Sequence, residues 1–107
     1  MKRLALAVAL FLALGCPVEA YVNTSCTVGL SSAQCLAAGS YGHVMIENNS
    51  ANTIACAWGQ NAVLNSGTSI QLGPGGSALW GPSTGGVPSN ALNCISSVAG
   101  SALYIEN

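Results

Sequence analysis

Short runs of alternating apolar and polar residues fill the chain from residue 41 onward. Val44 and Ile46, for example, alternate with Met45 and Glu47, which gives an extended chain one apolar face and one mixed face. Turn residues separate such runs at intervals of about 8 to 12 residues, a spacing typical of β-sandwiches and barrels. The pattern predicts strands over residues 41–47, 53–58, 68–72, 77–80, 91–98 and 102–106.

The segments between these strands are short and rich in Gly, Pro, Asn and Ser. Residues 48–50 are predicted to turn, because Asn tolerates left-handed backbone angles and its side chain bonds the local backbone. Gly and Pro end the strand at residues 73–76, whereas residues 59–67 and 81–90 are predicted loops. A turn at residues 100–101 is predicted to join the last two strands as a hairpin.

Connections of this length exclude parallel α/β architectures, which need long crossover segments. The sequence therefore predicts an all-β fold, a small antiparallel β-sandwich of roughly six to eight strands. Jelly-roll and immunoglobulin-like arrangements both fit this pattern.

The N-terminus has a different composition. Lys2 and Arg3 precede an unbroken apolar run over residues 4–14, and a short segment containing Pro17 follows. This is the three-part layout of a secretory signal peptide, which we expect to occupy residues 1–20. At about 1.5 Å per residue the apolar run reaches only half of a hydrocarbon core of about 30 Å, so no permanent membrane span is predicted.

Cleavage is expected between Ala20 and Tyr21, because Val18 and Ala20 place small residues at positions −3 and −1. The mature protein would then be secreted, periplasmic or displayed on a cell or virion surface. An alternative is lipidation at Cys16, which would make the protein a membrane-anchored periplasmic lipoprotein.

Two segments follow the signal peptide. Residues 21–40 are rich in Ser, Ala and Gly and are predicted to be irregular, with a short strand near residues 26–30 or a helical turn around residues 33–38. Residues 41–107 are predicted to form the sandwich domain.

Cysteine parity supports export. Of five cysteines, Cys16 would leave with the signal, and an even number remains in a small domain entering an oxidising compartment. Three connectivities are possible, and the spacing favours Cys26 with Cys35 as a local bridge and Cys56 with Cys94 as a long-range bridge. On a sandwich, the second bond is expected to hold the two sheets together. The spacing does not favour zinc.

The mature part is almost without charge. It has no Lys, Arg or Asp and retains only Glu47, Glu106 and His43 as charged or charge-switching side chains. Nucleic-acid binding needs clustered Lys and Arg, so this class of function is excluded.

These side chains do not predict an active site. His43 and Glu47 lie about 13 Å apart along one strand, too far to share a metal or a proton. Glu106 would approach Glu47 only if the last strand neighbours the first strand of the sandwich. The glycines at residues 73–76 do not precede a helix with Lys, so they are not a phosphate loop. We predict no enzymatic activity, no metal and no cofactor.

Aromatic residues are the best candidates for a binding surface, since they stack on sugars and on partner surfaces. The candidates are Trp58, Trp80, Tyr41 and Tyr104. The competing interpretation for Trp58, which shares a strand face with Ile54, and also for Trp80, is a role in the core. Asn23 and Asn48 lie in glycosylation sequons, which matter only in a eukaryotic host.

A family resemblance extends over residues 44–106. It rests on three stretches: VMIENNSANTIACAWGQNA, IQLGPGGSALW and VPSNALNCISSVAGSALYIE. Together they resemble small β-domain proteins encoded among the structural genes of tailed bacteriophages and prophages. The resemblance implies a non-enzymatic virion-accessory, capsid-decorating or surface-attachment module.

The leading hypothesis is therefore an exported structural or binding module that contacts a protein partner or a surface glycan. A second hypothesis is a subunit that self-associates through its uncharged surface and exposed strand edges to build or decorate a particle.

Overall fold

Two antiparallel four-stranded sheets make up the protein in the computed structural model, which describes residues 22–107. The strands are β1 (Asn23–Val28), β2 (Ala33–Leu36), β3 (Val44–Asn48), β4 (Ile54–Trp58), β5 (Ile70–Leu72), β6 (Ser77–Trp80), β7 (Leu92–Ser96) and β8 (Ser101–Glu106). The predicted signal peptide, its cleavage between Ala20 and Tyr21, and the alternative lipid site at Cys16 lie outside the described residues.

The strand order is β1-β8-β3-β6 in the first sheet, here named sheet A, and β2-β7-β4-β5 in the second, sheet B. Successive strands alternate between the sheets except for β4 and β5, which are neighbours in sheet B. This is the order of an eight-stranded jelly roll, one of the two arrangements that the sequence predicted.

The core lies between the sheets and follows the period of two in the sequence. On β3, Val44 and Ile46 are fully buried, while Met45 and Glu47, which alternate with them, point to the other face. The buried cluster consists of Val28, Val44, Ile46, Ile54, Cys56, Leu72, Leu92, Cys94, Leu103 and Ile105. All predicted strands are confirmed to within a few residues at their ends.

Two of the predictions about secondary structure are wrong. The segment at residues 21–40 is not irregular, because its described part contains β1 and β2, with a strand where a helical turn was the alternative. The last two strands do not form a hairpin, since β7 belongs to sheet B and β8 to sheet A. In a jelly roll the chain crosses from one sheet to the other at this turn.

Both predicted disulfides are present, but their roles are exchanged. Cys56 and Cys94 lie directly opposite each other on β4 and β7, so their bond joins neighbours within sheet B. Cys26 is on β1 of sheet A and Cys35 on β2 of sheet B, so the short-range bond is the one that links the two sheets. Distance along the sequence was a poor guide, because consecutive strands of this fold lie in opposite sheets.

A buried asparagine joins the turns at one end of the sandwich. Asn48 has no exposed surface, and its Nδ2 donates hydrogen bonds to the carbonyl oxygens of Asn52, Leu72 and Gly73 at 2.6, 2.9 and 3.1 Å. Its Oδ1 accepts from the Ser50 backbone N–H at 2.9 Å. The β3–β4 turn is thereby fixed against the β5–β6 turn.

The middle of the outer surface of sheet B, along β4, is covered by the chain itself. Ala55 and Ala57 on β4 alternate with the core residues of that strand, yet they are 0% and 3% exposed. The segment over residues 59–69 crosses them: the Gln60 carbonyl accepts from Asn93 Nδ2 at 2.8 Å. Gln71 holds the same segment from β5, because its Oε1 accepts from the Asn65 N–H at 3.1 Å. The predicted polar loop is thus a third layer over sheet B, named here the covering loop.

Candidate functional site

The outer surface of sheet A, in contrast, remains accessible. Leu79 on β6 is 54% exposed, and its cross-strand partner Met45 on β3 points to the same side. Tyr104 on β8 lies opposite Glu47 on that side. We name this surface the A face.

Register places the A-face side chains in two cross-strand rows over β1, β8, β3 and β6. One row is Asn23, Glu106, Met45 and Leu79, and the other is Ser25, Tyr104, Glu47 and Ser77. An apolar pair in the first row and a tyrosine in the second therefore lie beside carboxylates. Interfaces commonly combine aromatic and methionine side chains with polar groups in this manner.

All three charged or charge-switching side chains of residues 22–107 belong to this side of the molecule. Glu47 and Glu106 point outward from β3 and β8, and His43 comes directly before β3. His43 Nε2 lies 3.7 Å from Glu106 Oε1, and both side chains are partly exposed. With no Lys, Arg or Asp in the described chain, the A face carries its net negative charge.

The last strand does neighbour the first strand of the predicted sandwich, since β8 pairs with β3. Glu47 and Glu106 are nevertheless diagonal, because Glu47 faces Tyr104 and Glu106 faces Met45. Diagonal side chains on neighbouring strands are about 7 to 8 Å apart. Among the described residues, no group of three or more His, Cys, Asp or Glu side chains comes together as a metal site.

The four aromatic candidates do not form one platform. Tyr104 lies on the A face, whereas Tyr41, Trp58 and Trp80 are half-buried and pack against the core. Trp58 ends β4 and Trp80 ends β6, and their rings are in contact. Tyr41 is fixed by its hydroxyl, which donates to the Ala37 carbonyl at 2.7 Å.

The two sequons are in opposite situations. Asn48 is buried with its amide nitrogen donating to three carbonyls, so the folded protein does not offer it to a modifying enzyme. Asn23 is exposed at the start of β1.

Sequence reasoning missed two features of this site. The proximity of His43 and Glu106 depends on β8 lying beside β3, which no local pattern reveals. Residues 59–67 were predicted only as a polar loop, although the small residues Ala55 and Ala57 on the outward side of β4 were a signal that something packs closely there.

Comparison with protein-family models, with curated proteins and with solved structures gave no match for this chain. The two disulfides indicate an oxidising compartment. Within residues 22–107, no helix has the length and apolar character needed to cross a bilayer.

Proposed function

We propose that this protein is an exported, non-enzymatic binding module that attaches to a macromolecular partner through the A face. The observation that carries the proposal is the asymmetry between the two outer surfaces. The covering loop buries Ala55 and Ala57 on the outer side of sheet B, while sheet A presents Leu79, Met45 and Tyr104 at an open surface.

The charge of the A face limits the class of partner surface that can bind to it. Glu47 and Glu106 give the A face a negative potential that no positive side chain of residues 22–107 other than a protonated His43 offsets. Complementary potential steers association and suppresses wrong partners. A protein surface that presents Lys or Arg beside apolar side chains fits the A face best, and a surface glycan stacked on Tyr104 is the second option.

A binding role accounts for these residues better than catalysis. Two carboxylates on the outer surface of a sheet lack the enclosed setting in which enzymes orient a substrate and tune proton transfer. The resemblance to bacteriophage structural-gene products points in the same direction, toward a virion-accessory or surface-attachment role. We further propose that the protein is exported and displayed at a cell or virion surface.

The test is capture of a partner from the protein's natural setting by wild type and by A-face variants. Leu79→Thr and Tyr104→Thr keep β-forming residues on their strands while removing the apolar contact surface. We expect both variants to lose the species that wild type captures. Glu47→Gln combined with Glu106→Gln should weaken capture at low salt, and its capture should fall less than that of wild type as salt is raised, because fewer charges remain to be screened.

Val63→Thr is the matched control, because Val63 is 47% exposed on the covering loop, away from the A face. It should retain the captured species. The proposal is wrong if the A-face variants, with intact disulfides and near-UV spectra, capture the same species as wild type.

A further inference from the structure

The outer edge of β1 is an open strand edge on sheet A. No strand of the described residues lies beyond β1, which pairs only with β8 over six residues. Within residues 22–107 this is the longest edge strand, since β2 and β6 have four residues and β5 has three.

The direction of its backbone groups follows from one reciprocal pair. The Val22 N–H donates to the Asn107 carbonyl and the Asn107 N–H donates to the Val22 carbonyl. Bonded and non-bonded pairs alternate along an antiparallel ladder. In the register of β1 with β8, the N–H and C=O groups of Asn23, Ser25 and Thr27 therefore point away from β8, toward the open edge.

Edge strands are usually protected against pairing by charges, proline, bulges or short length. The sequence of β1 is Asn-Thr-Ser-Cys-Thr-Val, which contains no charged residue and no proline. Its register with β8 is continuous, whereas the edge strand β2 has a register shift between Gln34 and Leu36. The nearest charged side chain, Glu106, is on β8 and faces Asn23, so the width of β1 separates it from the edge.

We propose that β1 binds β1 of a second copy of this protein, antiparallel across a two-fold axis. Pairing Ser25 with Ser25 of the other copy brings Asn23 opposite Thr27, and each such pair exchanges two hydrogen bonds. The side chains that meet are small and uncharged, so the edge is complementary to itself. The two A sheets become one continuous eight-stranded sheet.

This pairing leaves the A face open in both copies and places the two faces side by side. A partner with repeated sites would then be bound twice, which raises its apparent affinity without a new contact. The inference does not depend on the proposed function, because the β1 edge and the A-face apolar side chains are separate surfaces.

Sedimentation velocity of the exported protein, with both disulfides formed, from about 1 μM to about 1 mM tests the pairing. We expect a monomer–dimer equilibrium. Ser25→Pro removes an N–H that points to the edge and leaves the ladder with β8 intact. It should weaken the dimer about tenfold or more, since each copy loses one hydrogen bond at the seam. Ser25→Ala keeps the N–H and should leave the dimer within about threefold of wild type.

Two further measurements keep the inference decidable if Ser25→Pro does not fold. Ser25→Lys places two like charges directly opposite each other at the seam and should weaken the dimer, whereas Ser25→Gln should not. In the wild type, amide exchange of Ser25 and Thr27 should slow as concentration rises. A monomer throughout the concentration range, or a dimer whose Ser25 and Thr27 amides exchange as fast as those of the monomer, overturns the proposal.

Discussion

The indole rings of Trp58 and Trp80 meet edge to face, with centroids 5.2 Å apart and an interplanar angle of 88°. One ring comes from β4 of sheet B and the other from β6 of sheet A. Edge-to-face contact places the positive edge of one ring against the negative face of the other. The pair therefore links the two sheets through a non-covalent contact, and the strength of this contact is measurable.

A double-mutant cycle with Trp58→Leu and Trp80→Leu should show a coupling free energy of about 0.5 to 1.5 kcal/mol. Each single change also removes half-buried aromatic surface, so both should lower the free energy of unfolding in urea. Trp58→Leu combined with Val98→Thr, an exposed position, provides the control and should be additive. A coupling no larger than that of the control would show that the ring contact contributes nothing beyond burial.

Asn48 makes a second non-covalent link between the sheets, because it lies on β3 of sheet A and donates to the carbonyl of Leu72 on β5 of sheet B. We expect Asn48→Ala to lower the free energy of unfolding by about 3 kcal/mol, because one buried and two partly buried carbonyl groups lose their donor at once. Asn49→Ala changes the exposed neighbour and should cost less than about 0.5 kcal/mol. Equal unfolding midpoints for the two variants in urea would contradict the role assigned to Asn48.

The two disulfides should differ in their resistance to reduction. Cys56 and Cys94 are 0% and 1% exposed, whereas Cys26 and Cys35 are half-buried near the sandwich margin. Thiol attack requires access to a sulfur, so a mild reductant should open the Cys26–Cys35 bond first. Alkylation followed by peptide mapping over time measures the order. Simultaneous loss of both bonds would indicate that reduction occurs only through global unfolding.

The strands were predictable because their signal is local. Alternation on β3, with Val44 and Ile46 inward, depends only on a period of two and on the turn residues that follow. Which sheet a strand joins depends on contacts between distant segments, and here sequence order misled. The hairpin expected at residues 100–101 assumed that neighbours in sequence pair in space. The assignment of Cys56–Cys94 as the bond between sheets assumed that strands far apart in sequence lie in different sheets.

The candidate site was predictable only in its parts. Tyr104, Glu47 and Glu106 were recognised as residues of interest, but their common outer face follows from the β8–β3 pairing. The predicted aromatic platform combined Tyr104 with residues that pack against the core in the folded protein, Trp58 among them. Inward and outward positions follow from alternation along each strand, whereas a surface spanning four strands follows from the strand order.

The covering loop gives the last prediction, because one side chain holds much of it. Gln71 Nε2 donates to the carbonyls of Val63 and Ser66 at 3.1 and 3.2 Å, while its Oε1 accepts from the Asn65 N–H. Gln71→Ala should raise amide exchange across residues 63–69 and lower the free energy of unfolding by only about 1 kcal/mol, since water replaces these exposed hydrogen bonds.

Two variants separate the hydrogen bonds from the loss of the side chain. Gln71→Glu keeps the acceptor, so protection of the Asn65 amide should survive while the contacts to the Val63 and Ser66 carbonyls are lost. Gln34→Ala removes an exposed glutamine from the edge strand β2 and should leave exchange in the loop unchanged. If Gln71→Ala also leaves exchange at residues 63–69 unchanged, packing of Ala62 and its neighbours on Ala55 and Ala57 holds the loop, and Gln71 does not.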